Sequence, residues 1–166
     1  VYEIRTVSPK HLGEYLAAFI ALLQDAVESG ASVGFVPPVD ASIARSYWAG
    51  VRTAIEGGNR ILLGAIEDGE ILGSVQLDLA TMPNARHRAE VMKLMVHRAA
   101  RRRGIGKALM VALEDAARRA NRRLIVLDTR PGDPAEQLYT ALGYTRVGVI
   151  PRYALSTRGT LDPTLY

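Results

Sequence analysis

The sequence predicts an α/β (α+β) protein: a mixed, mostly antiparallel sheet with one central parallel strand pair and helices on its flanks. Two observations carry this. An apolar run over residues 89–97, an amphipathic stretch over 105–120 and a β-branched run over 123–127 make one β-α-β unit. Its crossover helix returns the chain in the same direction, so its two strands are parallel. Upstream, residues 60–66 and 70–79 read as a hairpin across Glu67-Asp68-Gly69, which makes the neighbouring part of the sheet antiparallel.

The elements follow in order. Residues 2–7 alternate as a short strand. Residues 9–28 read as one helix, with Leu12, Leu16, Phe19, Ile20, Leu23 and Val27 at core spacing. Gly30 to Phe35 and Pro37-Pro38 break it into an irregular loop. Asp40 or Ser42 can cap a second helix carrying Ile43, Tyr47, Trp48, Val51 and Ile55, which Gly57-Gly58-Asn59 ends. The hairpin, the strand over 89–97 and the helix over 105–120 come next. The strand over 123–127 ends at Asp128-Thr129, and a short helix over 134–142 starts near its proline and stops at Gly143. Residues 144–150 are expected to form a further strand, and the tail toward Tyr166 another.

A chain of 166 residues is expected to form one domain, long enough to bury a core. Hydrophobic residues are 48% and charged residues 23%, ordinary for a soluble globular protein. No run is long and apolar enough to span a membrane, and no signal peptide is visible. The absence of cysteine removes disulfides, thiolate metal sites and cysteine nucleophiles together, and fits a cytoplasmic location. No metal site is expected. The net charge of +4 makes nucleic acid a rival partner, but no aromatic residue lies in the arginine clusters to stack on bases.

Arg101-Arg102-Arg103-Gly104-Ile105-Gly106-Lys107-Ala108 lies between the strand and the helix of the β-α-β unit. Free N–H groups of a first helical turn carry the positive end of the helix dipole and attract phosphate. The spacing excludes a Walker loop, which needs glycine where Arg101 stands and Ser or Thr where Ala108 stands. It also excludes a dinucleotide fingerprint, which needs a small residue at Leu109. What remains, Arg101-x-x-Gly104-x-Gly106, resembles the acetyl-CoA pyrophosphate loop of GNAT-type N-acetyltransferases. The order of elements along nearly the whole chain agrees with that family, whose central parallel strands splay apart. More closely, Gly30 to Phe35, Arg88-Ala-Glu-Val91, Lys93-Leu-Met-Val96, Leu127-Asp-Thr129, Tyr139-x-Ala-Leu142 and Tyr144-Thr-Arg-Val-Gly148 are similar to the tabtoxin resistance acetyltransferases. These move acetyl from acetyl-CoA to the amine of a β-lactam amino-acid toxin. The chain departs from that pattern at Arg130-Pro131-Gly132-Asp133 and around Arg152.

The resemblance implies acetyl-CoA as cosubstrate. It would be held by Leu94, Met95 and Val96 at the strand end and by Arg101, Arg102, Arg103, Gly104, Ile105, Gly106, Lys107 and Ala108. A backbone N–H near Met95 or Val96 would polarise the carbonyl. Acetyl transfer also needs a base for the acceptor ammonium. Glu90, in an otherwise apolar strand, fits that role, directly or through a water. Asp128 stands at the carboxyl end of the second parallel strand, the edge where open sheets bind ligands. His97 is a further candidate base. By position, Tyr139 matches the tyrosine that faces the CoA sulfur in this family. Gly30 to Phe35, with Ser32 and Phe35 foremost, and Tyr47 and Trp48 are expected to line the acceptor pocket, Trp48 being equally suited to the core. The expected acceptor is a small, amino-acid-like or toxin amine, met by a monomer or homodimer. A protein or peptide N-acetyltransferase and a non-catalytic CoA-binding module are the alternatives.

Overall fold

The computed structural model describes residues 1–166. Five strands form one sheet in the order β1 (Glu3–Thr6), β2 (Arg60–Glu67), β3 (Glu70–Leu79), β4 (Arg88–Val96), β5 (Leu124–Val126). All neighbours are antiparallel except β4 and β5. The hairpin turns on Asp68 and Gly69, both at positive φ (50° and 83°), as a two-residue turn with right-handed strand twist requires.

Helices α1 (Pro9–Glu14), α2 (Leu16–Glu28) and α3 (Ala41–Glu56) cover one face, and α4 (Ile105–Arg119) covers the other. The single helix expected over residues 9–28 is broken at Tyr15, which leaves helical geometry (φ −99°, ψ 14°) two residues after Gly13. Asp40, not Ser42, caps α3: its carboxylate accepts from the Ile43 N–H at 2.8 Å. Asp40→Ala should lower the denaturant midpoint by an amount worth about 1 kcal/mol, measured by urea unfolding.

Beyond β5 lie α5 (Pro134–Ala141) and a separate hairpin of β6 (Val149–Leu155) and β7 (Leu161–Leu165). The strand expected over residues 144–150 is corrected: it begins at Val149 and runs on to Leu155. Tyr144 instead packs on Tyr139, ring centroids 5.9 Å apart. Pro151 and Arg152 fall in a register shift with Arg152 at φ 53°, so the proline without an N–H sits where the ladder is already interrupted. The β6–β7 hairpin meets the segment after β5 through one antiparallel bridge, Thr129 with Leu165.

Candidate active site

One irregularity in β4 organises the site. Ser74 of β3 faces Met95, whereas Gln76 faces Met92, so β4 holds one residue more than its partner. This bulge puts Lys93 at φ 54° and leaves Lys93 and Leu94 outside the paired register. It also reverses the faces. Ala89 and Val91 belong to the core under α4, whereas Met95 belongs to the core under α2 and α3. Strand β5 accompanies β4 only from Arg88 to Glu90, and beyond that the two lose their pairing.

A cavity of about 320 Å³ lies at this divergence. That is the lower end of the usual range for small-molecule sites. Glu90, Lys93 and Leu94 line it from β4, and Asp128, Thr129 and Arg130 from the segment after β5. Ser32 and Gly34 come from the loop after α2, Tyr139 from α5, and Tyr153 and Thr164 from the β6–β7 hairpin.

Burial is the first cause that pushes the Glu90 carboxyl above its ordinary value, with Asp128 and Asp78 adding to it. Asp128 accepts a 2.6 Å hydrogen bond from the Thr164 hydroxyl. The Tyr139 ring is 8% exposed, and burial, then Asp128, pushes its phenol up to about 12. Lys93 is pushed below the usual lysine value, by burial first and Arg60 second. Arg130 is fully engaged: Nε donates to Asp133 at 3.0 Å and Nη2 to the Gly30 carbonyl at 3.0 Å, with Asp162 at 3.5 Å.

Past Val96 the chain enters the basic loop. His97 caps a short 3-10 turn, its Nδ1 accepting from the Ala99 N–H at 3.2 Å, and it does not line the cavity. Gly104 caps α4 at φ 78°, a conformation other residues rarely adopt. A Cβ there would meet only the Tyr2 hydroxyl at 3.8 Å, so backbone conformation, not space, is what Gly104 supplies. The first helical bond is Ala108 N–H to Gly104 carbonyl, which leaves the amides before it without helical acceptors. Two of the expected phosphate-binding side chains are occupied elsewhere. Arg103 forks onto Glu67 at 2.7–3.0 Å and draws that carboxyl down to about 2. Arg101 donates to the Val96 carbonyl at 3.2 Å and the Ser29 hydroxyl at 2.6 Å, bracing the loop against α2. Nearby, Asp25, 7% exposed, accepts from the backbone N–H of Arg98 at 2.9 Å and pairs with its guanidinium. The loop's positive character toward a ligand thus comes from its amides, Arg102 and Lys107.

The profile of the acetyltransferase (GNAT) family matches residues 19–144. The chain belongs to the GNAT family. An uncharacterized N-acetyltransferase from the hisH–hisA intergenic region of Azospirillum brasilense is 37% identical over 108 residues, which are 64% of this chain and 62% of that relative. The ribosomal-protein-alanine N-acetyltransferase from Brucella melitensis superposes with a TM-score of 0.82 at 22% identity, covering 98% of this chain and 96% of that one. The yncA protein from Salmonella typhimurium, solved with its cofactor acetyl-CoA, gives 0.80 at 22% identity over 99% of this chain and 91% of that one. At such identities the likeness speaks for the fold. GNAT proteins use acetyl-CoA, and the exposed amides of a Gly104-capped helix suit its pyrophosphate.

Within this GNAT fold, Glu90, Asp128, Tyr139, Leu94 and Ser32 converge on the cavity. Met95 points its side chain into the core at 2% exposure, so only its backbone is available to a ligand. Val96 packs beside Gly106, where a Cβ would lie 4.0 Å from its Cγ2 and 3.4 Å from Leu138. Phe35 stands outside the cavity lining, edge-on to Tyr47 at 5.2 Å. Trp48 is corrected from pocket to core: it is fully buried and its Nε1–H donates to the Phe19 carbonyl at 2.9 Å. Its spacing from Ala44 and Val51, both buried, was the signal for that. The sequence reading missed Lys93, Arg130 and Thr164 as lining residues.

Proposed function

We propose that residues 1–166 act as one N-acetyltransferase domain, moving acetyl from acetyl-CoA directly to the amine of a small, amino-acid-like acceptor of the toxin or antibiotic kind. The observation that carries this is the Glu90 carboxyl, raised by burial and by Asp128, lining a small cavity at the β4–β5 divergence, on the strand that leads into the Gly104-capped helix start. Acetyl-CoA supplies the acetyl group as an activated thioester. Glu90 takes the proton from the acceptor ammonium, directly or through a water. Asp128 stands beside it and favours the cationic amine before transfer. The backbone at the β4 bulge, free of strand pairing, offers an N–H to the developing oxyanion. Tyr139 donates a hydrogen bond to the departing sulfur. With no cysteine in the chain, no acyl-thioester enzyme forms, and transfer is direct. The same reading has the protein act in the cytoplasm, as monomer or homodimer, on a soluble amine.

The test is acetyl-CoA-dependent thiol release over amino acids, β-lactam amino acids, polyamines, aminoglycosides and N-terminal peptides of ribosomal proteins. Turnover of a small amine is expected; turnover of peptides alone would replace this reading by protein acetylation. Acetyl-CoA binding without transfer to any amine would make the domain a non-catalytic CoA-binding module.

The cofactor assignment has its own test. Gly104→Val places a β-branched residue at φ 78° and drives the loop out of that conformation. Acetyl-CoA affinity should fall by about tenfold or more, equivalent to about 1.4 kcal/mol. Calorimetry showing unchanged affinity in a folded variant would remove the loop from the cofactor site.

A further inference from the structure

Most of the charges lining the cavity are already matched. Arg130 is engaged by Asp133 and Asp162, and Asp128 by Thr164. Lys93 is the exception among the cations. Its ammonium makes no ion pair and no hydrogen bond with the rest of the chain. It lies 5.8 Å from the centroid of the Tyr47 ring, and a Cβ on Gly34 would stand 3.1 Å from Nζ. Tyr47 is itself fixed, its hydroxyl accepting from the buried Gln76 amide at 2.9 Å. Lys93 is thus held on an aromatic platform, packed against the loop after α2.

A half-buried ammonium without an anion is costly, and proteins normally pair it. Here burial and Arg60 weaken its hold on the proton, and the charges of Asp128 and Glu90 offset this only in part, without a direct ion pair. The β4 bulge brings Lys93 and Glu90, three residues apart on one strand, to line the same cavity. The cavity therefore offers one uncommitted cation and one uncommitted carboxyl.

We infer that Lys93 binds a carboxylate on the acceptor, so that the substrate is an amino acid with a free carboxylate rather than a simple amine. This rests on the transferase reading above and narrows it. The acceptor's ammonium goes to Glu90 and Asp128, and its carboxylate to Lys93, where the Tyr47 face keeps the ammonium in place. One cation in about 320 Å³ suits a single carboxylate better than a dianionic phosphate.

The experiment compares matched pairs: methionine with 3-(methylthio)propylamine, phenylalanine with phenethylamine, and 2,4-diaminobutyrate with 1,3-diaminopropane. The wild-type protein should favour each acid. Lys93→Met keeps the length and the same backbone demand at φ 54°. It should lower the acid-over-amine ratio of kcat/KM by about ten- to a hundredfold, the worth of a charged hydrogen bond, chiefly through KM. Lys93→Arg should restore part of that ratio, and unchanged acetyl-CoA affinity certifies the fold of both variants. Without any variant, N-acetylmethionine should bind the wild-type protein more tightly than N-acetyl-3-(methylthio)propylamine. Equal use of acids and amines by the wild-type protein overturns the inference. So does a Lys93→Met ratio equal to wild type, including the case where both substrates' pH profiles move together because Lys93 serves only to tune Glu90. If no amine of either kind is acetylated, the transferase reading itself fails and this inference with it.

Discussion

Replacing Glu90 by Gln should lower turnover near pH 7 by about 10²–10⁴-fold, the usual worth of a positioned general base, while acetyl-CoA affinity hardly changes. The sign of its pH dependence follows from the shift. Burial and the Asp128 charge lift the Glu90 carboxyl above the ordinary glutamate value of about 4.3. The wild-type rate should therefore rise with pH through a value above that figure, as Glu90 loses its proton and becomes a base. In Glu90→Gln that limb disappears. What remains climbs at higher pH, where a growing fraction of acceptor enters already as free amine, so the defect shrinks. A pH–rate profile from pH 6 to 9 decides it: a variant that follows the wild-type curve throughout takes Glu90 out of the chemistry.

Tyr139→Phe should lower turnover by roughly ten- to several-hundred-fold with acetyl-CoA affinity nearly unchanged, as expected for losing a hydrogen bond to a charged atom worth about 1.5–3 kcal/mol. The ring packing against Tyr144 is kept and only the hydroxyl is lost. The phenol, raised to about 12, stays protonated across any working pH and is always a donor. A thiol ionises near pH 8.5, so so weak an acid does not protonate the leaving thiolate fully. Its contribution is a hydrogen bond that strengthens as charge builds on sulfur, which appears in turnover rather than in binding. The defect should be the same at pH 7 and pH 9, unlike that of Glu90→Gln. If chemistry is rate-limiting and the Phe variant turns over like wild type, Tyr139 is a packing residue and the thiolate leaves unassisted.

The turn and helix start at Gly104 were legible because their signal is local. Gly104 and Gly106 between an apolar strand and an amphipathic helix specify backbone geometry within a few residues. Glu90 and Asp128 were legible as carboxyls in or at the end of apolar strands. The side-chain partners were not, because they are distant in sequence. Nothing near Arg103 announces that Glu67 takes its guanidinium, or near Arg101 that Ser29 does. Lys93 was hidden by a rule that is normally sound. Period-two alternation puts residue 93 on the face of Ala89 and Val91, in the core under α4. Only the extra residue of the bulge turns it toward the cavity, and one apolar strand without its partner strand carries no sign of that. The strand after Gly143 was misplaced because Tyr144 alternates like a strand residue, while its ring is claimed by Tyr139.

The hairpin of β6 and β7 supplies one wall of the cavity, yet it meets the rest of the fold at the segment after β5, through the Thr129–Leu165 bridge, the Arg130–Asp162 pair and the Thr164 hydroxyl clasping Asp128. The basic loop has no such seam, since β4 leads through the turn at Arg98–Ala100 into α4. The molecule thus resembles a fixed machine with an exchangeable faceplate. On the proposed function, changes of length or sequence in the hairpin can reshape what the acceptor side admits without disturbing the Gly104-capped helix start. Because what the clasp holds is Asp128 itself, any such exchange must keep a hydroxyl at position 164, or the carboxylate beside Glu90 is left unanchored.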